Sequence, residues 1–351
     1  MKDNENNEVE SKKDSKFNAF VEKHGKKKII LGASCIAIVA ALAVGLSVGI
    51  TACNNSSNNS TNNSSSKIEV VTGSTPVFSE DNKTCTYGIY PQTHVSDETT
   101  IKALNALTKT ESNGWYLYNN YYYAKTDVTL DEFNDDDLKF SDGTSINNGD
   151  TCWFRCDLIK WNVIKTSNDT YTLLSSLLLQ NRIFDKEKDN ANTVNYKTSD
   201  VREWLNADFY NSAFSDNAYI QTTEVDNSPS TTGETENSFA CENTFDKVYL
   251  LSYLDYMNAD YGFSTSRDES PTRLFQPTDY ATACGACTYV SESETDGKYV
   301  SSFMTRSITG EYGEYFHECW CDYSGTMNDH YESWYNDRLC VQPAITISKT
   351  K

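Results

Sequence analysis

Apolar and polar positions divide the chain into three stretches. Ile29 to Ala52 is an apolar run without a charge, Asn54 to Ser66 (NNSSNNSTNNSSS) is wholly polar, and beyond Lys67 short apolar runs alternate with turn-rich ones. Thr75 to Gln92 reads as two short strands around a turn at Glu80-Asp81-Asn82. Ser96 to Thr108 reads as a helix: Ser96 or Asp97 can cap it, Glu98 suits the positive end of its dipole, and Ile101, Leu104 and Leu107 recur at helical spacing. In Trp115 to Lys125 two aromatic runs flank Asn119-Asn120, residues that tolerate the positive φ of a two-residue hairpin turn. Asp131 to Asp150 is acidic and turn-rich. Trp153 to Lys165 and Thr170 to Leu179 predict an antiparallel pair joined by Ser167-Asn168-Asp169. Ser199 to Phe214 is the strongest helical pattern, with Ser199 or Asp200 as cap and Val201, Trp204, Leu205 and Phe209 as its apolar stripe. Asp226 to Asn243 reads as a polar surface loop, and Lys247 to Met257 as a short strand followed by a helix start capped by Ser252. Pro271 to Trp334 has little periodicity and predicts a long-loop region; Leu339 to Ser348 predicts one strand, with Ile345 and Ile347 on one face and Ala344 on the other. No repeat is evident. The class implied is α+β: an antiparallel sheet with two or three helices and long loops.

The apolar run is long enough to span a bilayer as a helix, and Lys26, Lys27 and Lys28 before it hold that side in the cytoplasm. It reads either as an uncleaved anchor or as a secretion signal. Its end, Ile50-Thr51-Ala52-Cys53, resembles a bacterial lipobox. That resemblance implies that Cys53 takes a diacylglycerol on its thiol and becomes the first residue after cleavage. The protein would then be lipid-anchored at the extracellular face of the cell membrane; the alternative is a single-pass transmembrane chain with its C-terminus outside. The organisation expected is a cytoplasmic basic leader (1–28), a lipoprotein signal or transmembrane segment (29–53), an Asn/Ser-rich linker (54–67) and one extracellular α+β domain (68–351). The linker has nothing apolar to bury and stays flexible.

Composition narrows the partners. A formal charge of −20 repels nucleic acid, which clustered Lys and Arg would be needed to bind, so no nucleic-acid partner is expected. The 23 tyrosines suit cores with wet edges and binding faces alike. Of 11 cysteines, Cys35 lies in the apolar run and Cys53 at the lipobox. Cys85, Cys152, Cys156, Cys241, Cys284, Cys287, Cys319, Cys321 and Cys340 would lie outside, where disulfides are allowed. Cys152 and Cys156 share a strand face roughly 13 Å apart and cannot bridge each other.

Several stretches, taken in order, resemble an extracellular domain family of unknown function found in Gram-positive and mollicute surface lipoproteins. They are Tyr87-Gly88-Ile89-Tyr90-Pro91-Gln92, the hairpin Trp115 to Lys125, Ile159-Lys160-Trp161-Asn162-Val163, Ser199-Asp200-Val201-Arg202-Glu203-Trp204-Leu205-Asn206, Asp246-Lys247-Val248-Tyr249-Leu250-Leu251-Ser252 and Thr305-Arg306-Ser307. The resemblance covers Pro76 to Ile347. It implies a C-type-lectin-like core in the C-terminal part, a fold shared with sulfatase-modifying enzymes. Phe303-Met304 stands where that family has an aromatic pair, and Val341-Gln342-Pro343-Ala344 lacks the family's arginine.

The chemistry-bearing candidates are few. Trp334, Asn336 and Asp337 resemble the W-N-D of calcium-dependent lectins, with a tyrosine inserted and only Gln276-Pro277-Thr278-Asp279 as a loose echo of the partner tripeptide; calcium would be the cofactor. Cys284, Cys287, His317, Cys319, Cys321 and Cys340 form a possible disulfide or metal cluster, thiolate and imidazole suiting zinc or copper. Asp135-Asp136-Asp137 could bind a cation, but such a run is more often a solvated turn. Trp161, Trp204 and Arg306 are expected to be structural, Arg306 as a buried arginine paired with a carboxylate or backbone carbonyls. No serine-hydrolase elbow, H-E-x-x-H or P-loop is present, and no catalytic residue is assigned. The expected function is a surface lipoprotein whose domain binds a glycan or surface-protein ligand, with the site in Pro271 to Trp334. Alternatives are a cysteine- or metal-dependent enzyme related to sulfatase-modifying enzymes, or a structural surface protein.

Overall fold

The computed structural model describes residues 69–108, 111–131, 134, 137–186, 194–233, 237, 239–290, 297–309, 317–329 and 339–351. The chain divides into two units, Met1–Ser64 and Ser65–Lys351, and every described residue lies in the second. The leader, the apolar run, Cys53 and the linker thus lie outside the described residues. Among the described residues no helix is long and apolar enough to cross a membrane.

Strands β1 (Val77–Phe78) and β2 (Thr84–His94) open the domain, followed by helix α1 (Glu98–Asn105), the hairpin β3 (Tyr116–Tyr118) and β4 (Tyr121–Asp127), then β5 (Thr151–Thr166) and β6 (Thr170–Ser175). These early elements form where local chemistry directs them. Asn82, Asn119 and Asn120 take positive φ at the two tight turns, and Asp97 caps α1 by accepting from Thr100 N–H at 2.7 Å. With β10 (Val248–Tyr249) and β17 (Ala344–Ser348) from later in the chain, an eight-stranded, antiparallel first sheet results, with backbone order β1-β2-β5-β6-β17-β10 and β4 also paired to β5. β5 is its axis: one edge carries β2, and the other carries β4 along its first residues and β6 along its last.

After β7 (Gln180–Arg182) comes the R-x-W-L-N segment. It is helical, but not as one α-helix: α2 (Asp200–Trp204) passes through a π turn, Leu205–Phe209, into α3 (Tyr210–Ala213). Asn206 supplies the cause. Its Nδ2 donates to Arg202 O at 3.1 Å and Val248 O at 2.9 Å, while its Oδ1 accepts from Lys247 and Val248 N–H. A side chain inserted into the helical ladder widens the turn. The expected stripe Val201, Trp204, Leu205 and Phe209 is buried. The strand pair β8 (Thr223–Val225) and β9 (Thr244–Asp246) follows, then β10 (Val248–Tyr249), which joins the first sheet through β17, and helix α4 (Asp279–Ala283).

Two expectations about the C-terminal half change. Pro271 to Trp334 is not simply a loop region. It contains β11 (Thr288–Tyr289), β12 (Val300–Ser301), β13 (Phe303–Thr309), β14 (His317–Cys321) and β15 (Met327–Asn328), and β13 is buried at every position. Its periodicity was hidden because Thr305, Arg306, Ser307 and Thr309 are polar yet hydrogen-bonded inside. Leu339 to Ser348 is not one strand either. β16 (Leu339–Val341) and β17 (Ala344–Ser348) belong to different sheets. Pro343 lacks an N–H for a ladder, and the intervening Gln342, wholly buried, donates to Ser175 O at 2.8 Å and accepts from Tyr256 O–H at 2.9 Å.

The second sheet has order β15-β14-β13-β16-β7, antiparallel except for the parallel β13–β16 pair. Side chains of both sheets, such as Trp161, Leu173 and Ile345 from the first and Phe303, Met304 and Cys340 from the second, share one core. Outside it, α1 covers Tyr123 and Trp153 with Leu104. A small satellite of Val128, Leu138, Phe140 and Ile146 packs on Phe154. The fold is thus mixed α+β and mostly antiparallel.

Candidate functional site

The motif residues that carry the resemblance turn out to be joints of the fold. Gly88 has φ 75°, and a Cβ there would stand 2.7 Å from the Phe214 ring. Tyr87 O–H donates to Asp216 O at 2.6 Å, and Trp161, fully buried, donates its indole N–H to Tyr87 O at 2.8 Å. Trp204 is buried beneath the Arg182 guanidinium, 4.6 Å from its ring centroid. Arg202 grips the fully buried carboxylate of Asp246, with Nη2 at 2.6 Å and Nε at 2.8 Å, and Thr244 O–H donates to its other oxygen at 2.7 Å.

Two arginines organise the second half. Arg306, on β13, donates from Nη1 to Leu250 O at 2.9 Å and to Asp255 Oδ2 at 2.8 Å, and from Nε to Asp226 O at 3.1 Å. Arg273 is completely buried and meets no carboxylate in these bonds. Its guanidinium makes five hydrogen bonds, all to backbone carbonyls: Gly325, Tyr256, Ser264, Ser266 and Asp268. It gathers the loops 256–268 and 325 around one planar group, a task for which the guanidinium fork is shaped. Reading the sequence alone missed Arg273, because its partners are carbonyls, which leave no side-chain signature.

The face of the first sheet that α1 partly covers is aromatic. Across β3 and β4, Tyr116 pairs with Tyr123 and Tyr118 with Tyr121; Tyr123 and Lys125 then pair with Arg155 and Trp153 of β5. The Arg155 guanidinium lies 5.3 Å from the Tyr121 centroid and donates from Nε to Asp157 at 2.6 Å. Thr93 O–H donates to the other oxygen of Asp157 at 2.6 Å, and Lys125 sits 5.2 Å from the Trp153 centroid. Tyr116, Tyr118 and Tyr121 are half-buried. Among the described residues, their hydroxyls bond to no protein group, whereas the buried Tyr87 and Tyr90 each bond one.

The cysteine candidates divide. Cys284 ends α4, Asn181 Nδ2 reaches its carbonyl at 3.5 Å, and Cys340 Sγ donates at 3.4 Å to Ser301 Oγ, which itself donates to Cys287 O at 2.6 Å. These three cysteines therefore gather. Cys321 does not join them: it pairs with Phe303, which pairs with Cys340 on its far side. Two strand spacings put the two Cα atoms roughly 10 Å apart, beyond disulfide reach. The expected disulfides are not formed among the described residues. Burial pushes the Cys340 thiol up to about 12 and holds those of Cys156 and Cys321 well above the ordinary range. Cys319 is buried on β14 beside Cys321, and the side chain of His317 lies outside the described residues.

Trp334, Asn336 and Asp337 also lie outside the described residues, as do Asp135 and Asp136. Their loose partner Asp279 is described. Its oxygens accept from His94 N–H at 2.9 Å and from the N–H and O–H of Ser141 at 2.8 and 2.7 Å. Asp279 therefore pins the satellite to the sheet. Nearby, His94 stacks on Phe140 and bonds Asp142 at 2.9 Å. Burial raises the Asp142 pKa, but hydrogen bonds from the Thr144 backbone, His94 and neighbouring hydroxyls outweigh it and hold the carboxyl below its usual range. No group of three or more His, Cys, Asp and Glu side chains among the described residues is placed to hold a metal.

These features define a mixed α+β domain built on two main sheets with two small strand pairs, β8–β9 and β11–β12, and tied together by buried arginines and amides. The chain belongs to the family described as Domain of unknown function (DUF6273), whose model matches residues 172–349. The match starts within β6 and takes in the second sheet and both arginines. No curated protein and no solved structure matches the chain.

Proposed function

We propose that the protein is a surface lipoprotein, anchored through Cys53, whose folded domain binds glycans on the tyrosine face of the first sheet. The observation that carries the binding reading is the set of half-buried Tyr116, Tyr118 and Tyr121, with hydroxyls unused by the protein, next to the Arg155–Asp157 pair. Aromatic rings offer sugars an apolar face, while guanidinium, carboxylate and phenol groups bond their hydroxyls. This places the site on β3, β4 and β5 instead of in Pro271 to Trp334, where β13 is part of the core. A C-type-lectin-like character of the closing part is part of this reading and rests on the order of the motifs up to Thr305-Arg306-Ser307. Calcium at Asn336 and Asp337 would add to it, and a thermal-shift series with calcium and a chelator examines that point.

A glycan array with the full chain, repeated with Tyr118→Ala/Tyr121→Ala, tests the binding reading. Binding to a defined glycan class that weakens about tenfold in the double variant is expected. An array without binding, or binding indifferent to both tyrosines, would sink it. Loss of lipid labelling in Cys53→Ala is expected, and labelling that persists removes the anchor assignment. The gathering of Cys284, Cys287 and Cys340 around Ser301 favours a cysteine-dependent enzyme as second reading. Thiols held neutral by burial, as at Cys340, are poor nucleophiles and count against it.

A further inference from the structure

Between residues 227–231, residues 239–241 and β13 lies a pocket of about 10 Å³, lined among others by Tyr196, Asn227, Thr231, Ala240, Arg306 and Ser307. That volume admits about one water-sized group. Three of the lining residues are at least nine-tenths buried and carry hydrogen-bonding capacity that no described protein group uses. Asn227 donates from Nδ2 to Glu242 O and Thr244 Oγ1, but its buried Oδ1 has no partner. Arg306 uses Nε and Nη1 and leaves Nη2. Tyr196 Oη accepts from Leu250 N–H at 3.3 Å and donates to nothing described. Burial lifts the Tyr196 phenol well above its ordinary range, so it remains a protonated donor.

An unpartnered buried acceptor is expensive to leave so, on the order of 1–3 kcal/mol. Asn227, Arg306 and Tyr196 line the same small pocket, so the unpartnered acceptor belongs to a residue that borders one space with residues carrying unused donors. The occupant must accept from Arg306 and Tyr196 and donate to Asn227, which a cation or a fully ionised anion cannot do. Charge agrees: Asp255 already neutralises Arg306, and burial keeps the Cys241 thiol at the rim neutral. We propose that this pocket is a binding site for one neutral hydroxyl, accepting from Arg306 Nη2 and Tyr196 O–H and donating to Asn227 Oδ1. Its source is solvent water or the terminal hydroxyl of a larger ligand. The site is distinct from the tyrosine face and does not depend on it. Its occupant joins Asn227 to the core strand through Arg306.

A high-resolution crystal structure of the full chain in detergent tests this directly. The expected result is one density peak within about 2.6–3.2 Å of Arg306 Nη2, Tyr196 Oη and Asn227 Oδ1. An isolated peak identifies water, and a peak continuous with density leading outward identifies a ligand hydroxyl. No peak, or an anomalous halide signal from chloride replaced by bromide, overturns the proposal. Ala240→Val carries the test into solution by filling the pocket. Expelling the occupant strands Asn227 Oδ1 and raises the unfolded fraction at fixed urea about tenfold. A neutral or stabilising result means that the pocket held nothing and overturns it as well.

Discussion

Arg306 Nη1 lies 2.8 Å from Asp255 Oδ2, a cation from the strand buried at every position meeting a carboxylate of the segment that follows β10. The same guanidinium holds the carbonyls of Leu250 and Asp226. One side chain therefore ties the second sheet to the chain on both sides of β9. Arg306→Met should destabilise the domain by about 3 kcal/mol, the usual effect of breaking a buried pair. Asp255→Asn should do less, since Arg306 keeps both carbonyls and the Asp255 side chain is 23% exposed. Urea denaturation of the two variants checks the order, and an equal or reversed order would contradict the hub.

Arg273 makes a sharper case because no carboxylate is among its partners. Arg273→Lys keeps the charge but offers three donors from one point instead of a planar fork. At least two of its carbonyls lose their partner. We expect a loss of about 3 kcal/mol, close to that of Arg273→Met. Calorimetry that finds the lysine variant as stable as wild type would refute this account.

Asn206 separates two roles within one side chain. Asn206→Ala removes both the helix bond to Arg202 O and the bonds to Lys247 and Val248 N–H. Asn206→Asp keeps an acceptor for the two N–H groups. Hydrogen exchange at Val248 should accelerate in the alanine variant and stay slow in the aspartate one. Equal acceleration in both would show that the acceptor is not what protects this strand.

Acid should loosen the satellite first. The folded-state pKa of Asp142 is depressed below its ordinary 3.8, so its stabilising contribution is present above that value and is lost as pH falls through the folded pKa. Exchange protection at Phe140 and Ile146, whose N–H groups bond Thr144 O and Leu138 O, should fall on acidification before that of β5. Asp142→Asn should flatten the acid limb. An unchanged pH profile in that variant would remove Asp142 as the cause.

Thiol chemistry offers a separate check. Cys156, Cys321 and Cys340 should resist iodoacetamide at pH 8 until the protein unfolds, since burial keeps all three protonated. Mass spectrometry of the labelled peptides reads this out. Native-state labelling of Cys340 would show a reactive thiol and revive the cysteine-enzyme reading.

Elements whose cause is local were legible in advance. The Asn119-Asn120 turn, the Asp97 cap and the apolar stripe from Val201 to Phe209 each follow from a few neighbouring residues and appear where their chemistry puts them. β13 was obscure because its polar residues find partners far along the chain: Thr305 with Cys319 O, Arg306 with Leu250 O, Ser307 with Tyr253 N–H. The tyrosine hairpin was legible as a hairpin, but its role as a face was not. That role depends on Arg155 and Asp157 of β5 arriving beside it.

The sequence by itself determined the acidic character, the apolar run ending at Cys53, the tight turns and the caps, since these depend on composition and on contacts within a few residues. The tertiary structure decided that Leu339 to Ser348 divides between two sheets at Gln342-Pro343, that Asn206 opens a π turn, and that Arg273 and Arg306 are hubs. Each of these depends on hydrogen bonds to residues distant in sequence. A buried polar side chain declares its role only when the backbone groups that satisfy it have been brought to it.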